Sequence, residues 1–264
     1  MTLVRLIVLA GLLLAASPAP AAAAAEPFDD YREVYRDLVQ QHSSAIVTVK
    51  FVMSVTNSGN EQRIEDRTQA VMVSADGLLV VPERAVSIDF SKLGAATPGQ
   101  ASPVAKSSDF RVRLADSEDW LPADLVTRDA ELGLAWLRLR DPAGKLGFVD
   151  LSQGIKAEPG MVFFSLLRTS DEWGGVSVFR PGLVLGETRS PTYRLMVDGV
   201  PGIAFSHDGK PMGYVDIDLA AMSRQGGTGL GLDLADLVLR MTPVDKVAAA
   251  TAQAARLPVA GAVE

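Results

Sequence analysis

Two histidines, His42 and His207, are the only imidazoles in this chain of 264 residues, and it has no cysteine. A serine nucleophile activated by histidine, with a carboxylate to orient the ring, therefore has only two candidate bases. His207 stands in Ser206-His207-Asp208-Gly209, where all three residue types occur side by side. Adjacent residues do not converge as nucleophile, base and orienter do, so the plainer reading is a turn. His207 could also close a serine–acid–histidine order, but no G-x-S-x-G elbow exists to expose a nucleophile. Ser165, Ser177 or Ser206 would need a base other than histidine.

Metal and cofactor chemistry have little to work with. Asp216 and Asp218 alternate and so share a strand face, with Asp198 or Asp233 available to help. Two carboxylates do not define a cation site, and a wet strand face is the plainer reading. Without cysteine there is no thiolate site and no disulfide. Gly174-Gly175 and Gly226-Gly227-Thr228-Gly229 lack the G-K-[ST] step of a phosphate loop and read as turns. No cofactor and no metal are expected. Trp120, Trp136 and Trp173 read as core or rim aromatics; Trp173, in Asp171-Glu172-Trp173-Gly174-Gly175, is the one candidate for a contact residue.

The elements that would hold these residues are mostly strands. Arg5, the apolar run 6–16 and the alanine stretch after Pro18 predict a secretory signal peptide over 1–25, cleaved near Ala25. The apolar run is too short to span a bilayer, so no stable membrane span is expected and the mature protein is expected to be periplasmic or secreted. The chain carries 25 Lys+Arg against 32 Asp+Glu without a long basic run, so nucleic acid is not an expected partner. Phe28, Tyr31, Tyr35 and Leu38 recur at helical spacing and predict a short amphipathic helix within 26–43, serving as a lid on a barrel end or as a subunit contact.

After it come β-branched runs at 45–52, 68–73, 78–81, 111–114, 121–127 and 132–139, then 161–167, 176–179, 183–187, 193–197, 203–205 and 212–217, separated by turns such as Asp76-Gly77. The Ser-, Ala-, Gly- and Pro-rich stretch 88–110 reads as an irregular loop, 234–241 as a short apolar helix, and 244–257 as an alanine-rich helix with little to bury. Many short strands with almost no helix between them favour antiparallel barrels or a sandwich.

These segments resemble, in order, the trypsin-like serine proteases of the HtrA/DegP kind. Ser44-Ala45-Ile46-Val47-Thr48-Val49 is similar to that family's opening strand, and Thr68 to Val80 resembles GSGFIIxxDGYIL. Leu134-Ala135-Trp136-Leu137-Arg138-Leu139 is similar to LAVLKI, Asp208-Gly209-Lys210-Pro211-Met212-Gly213 to DGEVIG, and Gly229-Leu230-Gly231-Leu232-Asp233-Leu234 to the step before the last helix. The resemblance implies an all-β, trypsin-like double antiparallel β-barrel with a short N-terminal helix and a C-terminal helical tail. It divides the chain into a first barrel at 44–150, a second barrel and closing helix at 151–240, and an Ala-rich helical or disordered tail at 241–264. The residues after 240 are too few for the PDZ module common in that family.

Where the family has its triad, this chain departs from it. Arg84 stands in the histidine's place within Val81-Pro82-Glu83-Arg84-Ala85-Val86, Gly133 in the aspartate's, and Val200 in the serine's, followed by Pro201, which has no N–H for an oxyanion hole. Arginine does not act as a base at workable pH. Glu83 and Arg84 could form an ion pair across the old cleft, though a solvated surface pair is the plainer reading. The expectation is a non-catalytic protease-like domain used in protein binding, scaffolding or regulation. Its partner would be a protein or peptide, an active protease of the same kind, or further copies of itself. The alternatives are a serine endopeptidase with an unrecognised nucleophile and a structural envelope β domain.

Overall fold

The structure is a computed structural model that describes residues 29–57, 60–89, 104–115, 117–142, 144–189, 193–217 and 239–258. Helix α1 (Asp29–His42) forms where the helical spacing predicts it. It buries Val34 and Leu38 and sets Tyr31 edge-on to Phe164 and Phe179, with ring centroids 5.6 and 6.4 Å apart. The Tyr35 hydroxyl donates to the Ser177 carbonyl at 3.1 Å, so the helix lies against the second half of the chain.

Strand β1 (Ile46–Asn57) shows the period of two: Val47, Val49, Phe51 and Met53 are buried, while Thr48, Lys50, Val52 and Ser54 between them are partly exposed. It pairs antiparallel with β2 (Asn60–Met72), which begins eight residues before the expected run 68–73. The polar stretch NEQRIEDR has little strand propensity of its own; its pairing with the apolar β1 makes it a strand. Then follow β3 (Leu78–Pro82), β4 (Ser87–Asp89), β5 (Val104–Arg113), β6 (Trp120–Asp129) and β7 (Leu134–Leu139). Both ends of the segment expected to be an irregular loop are thus strand, and residues 90–103 lie outside the described residues. The order β1-β2-β3-β7-β6-β5 closes through β1–β5 into a six-stranded barrel, with β4 added beside β5. The Asp76-Gly77 turn needs its glycine twice: φ is +87°, and a Cβ there would meet the Leu139 Cβ at 3.0 Å.

Residues 140–156 connect to a second closed barrel of β8 (Val162–Arg168), β9 (Ser177–Thr188), β10 (Arg194–Asp198), β11 (Gly202–Phe205), β12 (Pro211–Asp216) and β13 (Leu239–Pro243). The fold is therefore the trypsin-like double antiparallel barrel. The runs expected as two strands at 176–179 and 183–187 form one, because Pro181 and Gly182 stay in register with Phe164 and Phe163. A side chain at Gly182 would overlap the Phe163 ring and the Asp198 carbonyl.

The C-terminal reading needs two corrections. Residues 239–241, expected to be helix, belong to β13, which pairs with β10 and β12 and runs past the expected boundary at 240; residues 234–238 lie outside the described residues. The alanine-rich helix α2 (Val244–Ala254) is docked rather than loose: Val244, Val247, Thr251 and Ala254 are buried. Thr251 Oγ1 accepts the Trp136 indole N–H at 2.9 Å, which ties the helix to the first barrel, while β13 holds its start on the second. Small side chains allow this close approach, and sequence patterning undervalues them because each buries little area.

Apolar packing runs without a break from the first barrel through Phe164, Leu166, Ile203, Phe205 and Tyr214 of the second to Val247 of α2. A smaller core around Phe163, Leu195, Met212 and Met241 fills the second barrel.

Candidate functional site

Arg84 lies in the single 3-10 turn Glu83–Ala85 that follows β3, entered from Pro82 in extended conformation. Its guanidinium crosses to the second barrel and forms a salt bridge with Asp216, at the end of β12. The two side chains are 28% and 21% exposed, so the pair is largely screened from water. Gly133 faces the same carboxylate: a Cβ built on it would lie 3.7 Å from Asp216 Oδ2. Its φ of +72° is the left-handed conformation that suits glycine, and its carbonyl accepts the Glu83 N–H at 2.8 Å. Arg84 and Gly133, 49 residues apart in sequence, are thus brought together around Asp216.

Val200 has a separate partner. It is half-buried in the connection from β10 to β11, and its carbonyl accepts the Ser165 hydroxyl at 3.5 Å.

Burial draws the Arg84 guanidinium below its ordinary value, opposed in part by Tyr214. That ordinary value is far enough above neutrality that the group stays a cation. Desolvation pushes the buried Tyr214 hydroxyl up to about 12, against the pull of Arg84's charge. The spot therefore holds the Arg84 cation, its partner Asp216 and a neutral phenol. The ion pair bridges the two barrels, and its carboxylate is already bonded to Arg84.

A Glu83–Arg84 pair does not form. Successive residues of a 3-10 turn point about 120° apart, and Glu83 bonds Arg128 at 3.1 Å while Arg84 turns to Asp216. Asp216 itself was legible only as a strand-face acid; the partner that fixes its role is 132 residues away. Of its proposed companions, Asp198 is exposed, and Asp218 and Asp233 lie outside the described residues, as does the Gly226–Gly229 run.

Neither histidine lies at this spot. His207 is exposed in the turn between β11 and β12, with Nδ1 3.5 Å from Asp208 Oδ1. Ser206 Oγ accepts the Lys210 N–H, Ser165 is fully buried, and Ser177 opens β9. His42 ends α1 and stacks on Phe205 with centroids 4.4 Å apart. Its Nε2 is 2.8 Å from the Gly209 carbonyl, which can only accept, so Nε2 carries the proton; buried Nδ1 has no partner among the described residues.

A second proton on His42 would sit on Nδ1, which is buried without a hydrogen-bond partner among the described residues. Desolvation lowers its pKa from the ordinary 6.5, the Gly209 bond opposing. The unfolded chain therefore takes up the proton first. The contribution is complete above about pH 6.5 and is lost as pH falls toward the folded pKa. Urea midpoints measured from about pH 7.5 to 5.5 are expected to decline, and His42→Gln, which keeps a donor for Gly209, should lose that part of the slope. An identical slope in the variant would assign the decline to other groups.

Trp173 is 75% exposed at the end of the 3-10 turn Asp171–Trp173. The turn is anchored to the first barrel: the Asp171 carboxylate bonds Arg67 at 2.6 Å and also bonds Arg113. Those guanidiniums hold the Asp171 carboxyl below its usual range. Trp136 is core, and half-buried Trp120 lies under three cations, Lys50 at 4.4 Å, Arg113 at 5.1 Å and Arg67 at 5.7 Å. No protein-family model and no curated protein matches the chain significantly.

Proposed function

We propose that this chain is a non-catalytic relative of the HtrA-type proteases, exported after cleavage near Ala25, that binds protein or peptide in a scaffolding or regulatory role. The observation that carries the proposal is the Arg84–Asp216 salt bridge, which joins the two barrels beside Gly133. Histidine-assisted serine chemistry needs a neutral imidazole there, oriented by a carboxylate and presented to a hydroxyl. Arg84 is a permanent cation, and the acid beside it is already bonded to it. Val200 speaks for the same reading, since its side chain has no hydroxyl or thiol to serve as a nucleophile. A fold can outlast its chemistry and keep its surfaces for recognition.

The test is reaction of the purified protein with a fluorophosphonate probe, together with casein turnover and an active trypsin-like protease as positive control. The expected result is neither labelling nor turnover. Labelling abolished by changing one serine, such as Ser165, Ser177 or Ser206, to alanine would replace the proposal with an endopeptidase of unrecognised mechanism.

A further inference from the structure

The chain is acidic overall, with 32 Asp+Glu against 25 Lys+Arg, yet the outer face of the β2–β1–β5 sheet gathers cations. Register sets this arrangement. Lys50 on β1 stands directly opposite Arg67 on β2 and Arg111 on β5, so three positive side chains form a row across three strands. Four residues along, Ser54 stands between Arg63 and Lys106 in the same way. Like charges directly opposite one another destabilise a sheet, so the fold has no reason of its own to build these rows.

One acid already sits on this face. The Asp171 carboxylate, carried on a turn of the second barrel, is bound by Arg67 and Arg113 beside the Trp120 ring. Among the described residues Arg111 has a single carboxylate contact, Asp109 at 3.2 Å, and both side chains are about half exposed. For Lys50, the Trp120 ring is the only partner among the described residues. Next to them opens a groove of about 420 Å³, with Val52 among its lining residues.

We infer that this face docks an acidic polypeptide segment of a partner protein, with Lys50 and Arg111 taking its carboxylates as Arg67 and Arg113 take Asp171. Charge complementarity and the seated Asp171 indicate an acid. Glu65, Asp66 and Asp109 also line the groove and indicate a polypeptide, because they would repel an unbroken run of phosphates. A peptide can space its carboxylates and set a polar or basic side chain against Glu65. The surface gives the partner a chemistry, and this role rests on the reading of the chain as a binding domain.

The experiment is fluorescence anisotropy with a fluorescein-labelled 12-residue peptide of alternating Glu and Ser, at about 50 mM salt, where exposed charges are least screened. Saturable binding is expected, with affinity roughly tenfold weaker or worse in the Lys50→Gln/Arg111→Gln double variant. Arg180→Gln, which removes an exposed cation of the second barrel, should bind as the unaltered protein does. The inference is overturned by absent binding, by equal binding of a Gln/Ser peptide, or by equal loss in Arg180→Gln. Tighter binding of an oligonucleotide or heparin of similar length would overturn it too, marking a general polyanion surface. Failure here leaves the missing base at Arg84 untouched, and fluorophosphonate labelling would remove the non-catalytic reading while leaving a positive peptide result standing.

Discussion

Truncation after Pro243 is expected to unfold the protein rather than trim it. Helix α2 buries Val244 and Val247, each worth about 1.5–3 kcal/mol when fully removed from water. It also supplies the Thr251 hydroxyl that accepts from Trp136. Without the helix the indole loses this acceptor and with it the net stabilisation of a hydrogen bond, about 0.5–1.5 kcal/mol. The total, of order 5 kcal/mol, is comparable to the whole stability of many domains. Urea denaturation followed by tryptophan fluorescence measures it. Thr251→Val, which removes only the hydrogen bond, should lower stability by about 1–2 kcal/mol. A truncated chain with an unchanged midpoint would return the helix to the status of a dispensable tail.

Asp216→Ala is the second large effect, because it leaves the Arg84 guanidinium largely buried without its partner. Breaking a fully buried pair costs about 3–5 kcal/mol, and with 28% and 21% of these side chains exposed the expected loss is about 2–3 kcal/mol. Replacing both partners by apolar residues, Arg84→Met with Asp216→Leu, should bring stability back to within about 1 kcal/mol of the starting protein. The cost is the stranded charge and not lost packing, and a double-mutant cycle separates the two. None of these variants is expected to acquire fluorophosphonate labelling, since none supplies a base. Additive losses in the double variant would mean that Arg84 and Asp216 do not act as a pair.

Much of the architecture was legible in local sequence. β-Branched content marked β1 over 45–52, Asp76-Gly77 marked the turn before β3, and the spacing of Tyr31, Tyr35 and Leu38 marked α1. Reading failed where a segment takes its conformation from its neighbours. The polar start of β2 is a strand because β1 pairs with it, β9 runs through Pro181 and Gly182 because β8 holds them in register, and Leu239 to Met241 complete a barrel instead of a helix. The docking of α2 was hidden because alanine and threonine carry little hydrophobic signal, although they permit close contact.

The candidate site divides along the same line. Sequence by itself determined which groups are available: no thiol, two histidines, and Arg84, Gly133 and Val200 where the resemblance expects a triad. Tertiary structure alone decided whom each group meets. Arg84 finds Asp216 and not its neighbour Glu83, and cations from separate segments align across β2, β1 and β5 in a chain whose net charge is negative. The physical reason is range. Alternation and turn preference act over a few residues and can be read along the chain, whereas an ion pair depends on distance in space, which strand register and barrel closure fix between residues more than a hundred positions apart.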